Sequence, residues 1–173
     1  MKIFTSLMIF CCTIAIFYGN AFAETPEQSI DAIRSSAIAG NAGVLYSYLS
    51  LSSIAANETK HAYSKIEKKP VVGKMTAKIM RKTASTAISK FLSGQLYVLL
   101  KYNKGSRAAA ARSFKVNKIS VKGKTAIVSA SYRVPGATEG IGLTMDQNNK
   151  GLWVITSINS KLLRRAVNRF LLN

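Results

Sequence analysis

The sequence predicts an α+β fold: N-terminal helices packed on a four-stranded antiparallel meander, closing with an amphipathic helix. Three observations lead there. Up to Tyr102, apolar residues recur at three- and four-residue spacing, punctuated by Gly-Asn and Pro. From Phe114 to Asn159 they alternate every second residue between clusters of turn formers. The last dozen residues return to helical spacing with charge and apolar bulk on opposite sides.

The first helix begins at TPEQ. Thr25 is an N-cap, Pro26 suits the first helical position, and Gln28 completes a capping box. Ile30, Ile33, Ala37 and Ile38 give its apolar stripe, and Gly40-Asn41 stops it. A short helix over 42–49 follows, then a third over about 52–68, broken by Pro70. The stretch VVGKMTAKIMRKTASTAISKFL predicts a helix over about 71–92, ended by Gly94, with a further helical turn over 95–102. At 100° per residue, Lys74, Lys78, Arg81 and Lys82 share an arc of about 100°. Met75, Ile79, Met80, Ala84, Ala87 and Phe91 fill the other side. The helical part thus spans 25–105 and the sheet 112–159.

The sheet opens with a hairpin that turns at Lys122-Gly123-Lys124. Ala126, Val128, Ala130, Tyr132 and Val134 alternate cleanly in the second strand. In the first, Phe114 and Val116 are even-numbered but Ile119 and Val121 are odd-numbered, which predicts a bulge near Asn117-Lys118. A third strand covers 140–146, with Ile141, Leu143 and Met145 inward, and a fourth covers 152–159. In the closing helix, 161–172, Leu162, Leu163, Ala166, Val167, Phe170 and Leu171 form one half, and Lys161, Arg164, Arg165 and Arg169 the other. That apolar half suits either the sheet or a membrane interface.

Residues 1–23 read as a secretory signal peptide: Lys2, an apolar run from Ile3 to Tyr18, and Ala21-Phe22-Ala23 as a small-x-small cleavage site. The expected product is an exported protein, periplasmic or secreted, cut after Ala23, with 24–173 forming one domain. Both cysteines, Cys11 and Cys12, leave with the signal peptide, so an ordinary core replaces disulfides.

Charge is unevenly spread. The chain carries 25 Lys and Arg against seven Asp and Glu, a net of +18. From Glu24 to Glu58 acids outnumber cations, whereas from Thr59 to Val134 the single acid is Glu67. Such a middle attracts polyanions in a salt-dependent way. Export disfavours nucleic acid as the partner and favours an anionic membrane surface or envelope polymer.

Catalytic groups are scarce. One histidine and no cysteine outside the signal peptide leave no cysteine nucleophile, and His61 lies on a predicted helix with no nucleophile elbow nearby. No His, Cys or carboxylate ligands recur at metal spacing, and GATEGIGL leads into a strand rather than a helix. The sequence therefore predicts no enzyme and no cofactor.

Two segments carry a resemblance. TPEQSIDAIRSSAIAGNAGVLYSYLSLSSI gives a helix, a Gly-Asn break and a leucine-tyrosine helix; KISVKGKTAIVSASY followed by GLWVITSIN gives a hairpin and a strand bearing a tryptophan. Together they resemble exported bacterial proteins of the family called domain of unknown function 2939, and more loosely the cone-shaped fold of nuclear transport factor two. The resemblance implies a fold and no catalytic residues.

The expectation is an exported, non-enzymatic protein that binds an anionic envelope surface, lipid or lipopolysaccharide. Its basic helices would do so through Lys74, Lys78, Arg81 and Lys82 and through Arg164, Arg165 and Arg169. The alternative is a carrier of a small apolar molecule or lipid, using a cavity between sheet and helices lined by Met75, Met80, Tyr132 and Trp153; against the cavity stands a filled core, with Trp153 on the last strand filling part of it.

Overall fold

The computed structural model describes residues 24–63, 74–102, 104–134 and 136–172, with backbone only at 74–78 and 172. The signal peptide, the end of the third predicted helix and its Pro70 break lie outside the described residues.

Helix α1 (Pro26–Ala39) starts on the expected capping box. The Thr25 hydroxyl accepts from the Gln28 amide, and the Gln28 side chain accepts from the Thr25 amide at 2.8 Å. Gly40 ends the helix at φ 77°, a left-handed conformation that glycine adopts without a Cβ penalty. Helices α2 (Ala42–Ser47) and α3 (Leu51–Tyr63) follow. Helix α4 runs unbroken over Lys74–Tyr102. The expected stop at Gly94 does not occur. A mid-helix glycine costs about 1 kcal/mol, and Ala84, Ile88 and Leu100, all buried, hold the helix on both sides of it. A further helix, α5 (Lys104–Ser113), stands where the sequence predicts a loop and the start of the sheet. Its AAAA core has the highest helix propensity available. It shows no long amphipathic period.

The sheet is the expected meander: β1 (Lys115–Lys122), β2 (Thr125–Val134), β3 (Ala137–Gln147) and β4 (Trp153–Asn159), antiparallel in the order β1-β2-β3-β4. The β1–β2 register slips between Val116 and Lys118, so the predicted bulge is present. Gly123, at φ 61°, opens the two-residue turn between Lys122 and Thr125. A second slip, on β4 between Ile155 and Ser157, returns Ile158 to the same face as Leu143. One face is covered: Ala126, Val128, Ala130, Leu143, Met145, Trp153 and Ile155 are buried against Ile30 of α1 and Ile54 of α3. Ile127 on the other face is 62% exposed. Val121, near the end of the hairpin, is exposed.

Helix α6 (Lys161–Leu172) closes the chain. Its Val167 is buried with Ala55 of α3 and Ile88 of α4, and Phe170 stacks on Phe91 at 4.5 Å between ring centroids. Its apolar half therefore packs chiefly on the helices.

Candidate functional site

The helices bridge the covered face of the sheet without filling the space beneath them. Three adjoining hollows result. The first, about 460 Å³, lies under α4 and is walled by Leu49, Leu51, Ile54, Leu92, Leu96, Leu99, Ile158 and Leu163. The second, about 200 Å³ and partly open to solvent, is lined by Ile30, Ile33, Ala37, Ala111, Phe114, Ile141, Leu143, Ile155 and Ile158. The third, about 450 Å³, opens between α5 and the end of β2, where Ser106, Arg107, Tyr132, Arg133 and Val134 stand. Ile158 belongs to the first two; Ala37, Ala111, Phe114 and Ile141 belong to the last two. Small-molecule sites run to about 300–1,000 Å³ and are mostly apolar with a few polar groups, and this suite has that character.

Of the side chains expected to line a cavity, Tyr132 borders the third hollow. Met80 is 45% exposed on α4 and borders none of the three. The Met75 side chain lies outside the described residues. Trp153 is buried in the core instead. Its indole N–H donates to the Glu24 carbonyl at 2.6 Å, and its amide donates to Ser29 Oγ at 3.2 Å. Glu24 also accepts from the Ser29 and Tyr48 hydroxyls at 2.8 and 3.0 Å. Burial, followed by the Glu24 contact, pushes the Tyr48 phenol above its ordinary pKa. This polar knot fastens the start of α1 to β4.

Arg107, which sequence reasoning did not single out, is 6% exposed. Its guanidinium donates to the carbonyls of Leu99 and Leu100, near the C-terminus of α4, and of Ile38, near that of α1. Both helix ends carry partial negative charge, which an arginine neutralises. A Cβ on Gly40 would stand 2.9 Å from Arg107 Nη2, so admitting one would displace the guanidinium, in addition to straining the backbone at φ 77°. Arg107 Nε is buried and has no hydrogen-bond partner.

The basic residues divide. Lys82 is exposed and, with Lys90, Thr83 and Thr86, borders a shallow groove on α4. Arg81 is half-buried, in line with buried Ala84 and Ile88, while Ile79 is 62% exposed. The buried side of α4 is therefore turned from the one the helical wheel predicts, because α3 and α6 decide which side is covered. The Lys74 and Lys78 side chains lie outside the described residues. Arg165 and Arg169 are exposed on α6, whereas Arg164 is half-buried. Arg164 borders a polar cleft with Asn57, Glu58, His61, Ser157 and Asn159, between α3 and the edge of β4. Burial raises the Glu58 carboxyl above the usual carboxylate range, and the Arg164 guanidinium offsets part of that rise.

No family model, curated protein or solved structure matches this chain.

Proposed function

We propose that this is an exported, non-enzymatic binding protein that carries a small apolar or amphiphilic molecule, such as a lipid, between its sheet and its helices. The observation that carries this reading is the suite of three apolar hollows sharing walls at Ile158, Phe114 and Ile141. Clefts of this size that are lined mostly by apolar side chains with a few polar groups are the usual form of small-molecule sites, and three of them adjoining along one face of the sheet favour a ligand.

The test uses the neutral fluorophore N-phenyl-1-naphthylamine. The purified protein should raise its emission saturably, and Ala111→Phe, which fills the wall shared by the second and third hollows, should weaken binding at least about tenfold while thermal stability holds. Absence of saturable binding, or equal binding by the folded variant, overturns the reading.

A second reading, binding to an anionic envelope surface, is favoured by the adjacency of the two cationic helices. The Phe91–Phe170 stack joins α4 to α6, so Lys82 and Lys90 on one helix and Arg165 and Arg169 on the other belong to neighbouring elements. The two readings are compatible, since a lipid carrier must meet a lipid surface.

A further inference from the structure

We infer that the hollow takes a single-chain amphiphile with an anionic head, the head at the mouth formed by Arg107 and Arg133 and the chain running inward past Phe114 and Ile141. This rests on the carrier reading above and narrows its ligand.

Charge on the walls points to the class. The charged residues bordering the three hollows are Arg34, Arg107 and Arg133; among the described residues no Asp or Glu borders any of them. Arg34 is already paired with Asp31 at 3.0 Å. Arg107 and Arg133 stand together at the third hollow, which is otherwise walled chiefly by Ala37, Leu99, Ala110, Phe114 and Ile141. An apolar space whose remaining charge is cationic disfavours a cationic ligand and gains nothing special from a neutral one.

The two arginines differ in what they have left to give. Arg107 is nine-tenths buried, and its terminal nitrogens serve helix-end carbonyls. Its Nε has no partner, an uncommon state for a buried polar atom. Arg133 is exposed, and its backbone is fixed by an amide hydrogen bond to Ser113 Oγ at 2.9 Å. As an exposed residue that borders the third hollow, Arg133 belongs to its rim, where a head can remain partly hydrated while the chain is buried. Bidentate contact with a carboxylate or a phosphate is the geometry an arginine offers best. The third hollow shares four walls with the second, so a chain entering there continues toward Leu143 and Ile155.

The experiment is displacement of N-phenyl-1-naphthylamine by three ligands of equal chain length: dodecanoate, dodecyl phosphate and dodecanol. At least one of the two anions should displace the fluorophore about tenfold or more better than dodecanol; the tighter anion identifies the head as carboxylate or phosphate. Arg133→Gln should reduce that preference to within about threefold and leave dodecanol unchanged, and Arg133→Lys should keep part of it. Because Arg133 is exposed, these variants fold even where an Arg107 variant does not. Equal displacement by all three ligands overturns the anionic head while leaving the carrier reading standing. An anion preference that survives Arg133→Gln overturns the assigned mouth. Failure of the fluorophore itself to bind removes both inferences.

Discussion

Glu58 is 5% exposed on α3, facing Arg164 across a polar cleft. Burial raises its carboxyl above the value it has in the unfolded chain. The folded state therefore holds that proton more tightly than the unfolded state. Its contribution is favourable in acid and is lost as pH rises through the folded value, so at neutral pH ionised Glu58 costs stability. Glu58→Gln should raise the melting temperature at pH 7, with a gain that shrinks toward pH 4; a pH-independent difference would contradict the burial argument. Arg107 has the opposite balance. Replacing it by Leu leaves the carbonyls of Ile38, Leu99 and Leu100 without their donor, and each unsatisfied buried acceptor costs about 1–3 kcal/mol. Urea denaturation should show a loss of at least about 2 kcal/mol, and a loss below about 0.5 kcal/mol would mean that water replaces the guanidinium.

At the scale of elements, α6 tests whether an amphipathic segment serves the core or a membrane. Its sequence alone is consistent with both. In the structure Val167 is 1% exposed, wedged with Ala55 and Ile88. Val167→Ala should cost about 2 kcal/mol, from lost transfer energy plus a small cavity. If α6 instead rested in a lipid interface, this change would leave denaturant stability in solution untouched. The capping box of α1 offers a milder probe: Thr25→Ala should cost about 1 kcal/mol, read as a lowered denaturation midpoint with an unchanged slope. Helices α4 and α5 show what local signals miss. Gly94 reads as a stop because glycine is a poor helix former, yet the residues on both sides of it are held by neighbouring elements. Arg107 on α5 was hidden for a related reason: an arginine at the head of an alanine run gives no hint that two helix C-termini converge on it.

Over the whole molecule the dominant quantity is charge. With a net of +18, long-range attraction to anionic surfaces is expected and should weaken as the screening length falls with salt. Co-sedimentation with phosphatidylglycerol vesicles should be salt-sensitive. The combined variant Lys82→Gln, Lys90→Gln, Arg165→Gln and Arg169→Gln should lose most of it, at least about tenfold, while fluorophore binding in the hollow persists. Equal pelleting by this variant would place the surface interaction elsewhere on the chain. The hollow and the basic helices are thus separable by experiment.

By itself the sequence determined the α+β order, the capping box at Thr25, the register slip at Asn117, the four-stranded meander and the position of α6. Each is written in nearest neighbours: a side chain two, three or four residues away sets the period, and a turn residue ends it. Tertiary structure alone decided which side of α4 is covered, that α4 passes through Gly94, that Trp153 is tied to Glu24 rather than to a cavity, and that Arg107 and Arg133 border one hollow. Those features depend on segments distant in sequence meeting in space: residues 38, 99, 100 and 107 at one arginine, and residues 24, 29, 48 and 153 in one polar knot around the backbone carbonyl and carboxylate of Glu24. Periodicity records that a residue has an inside; only packing determines what lies there and how much room it leaves.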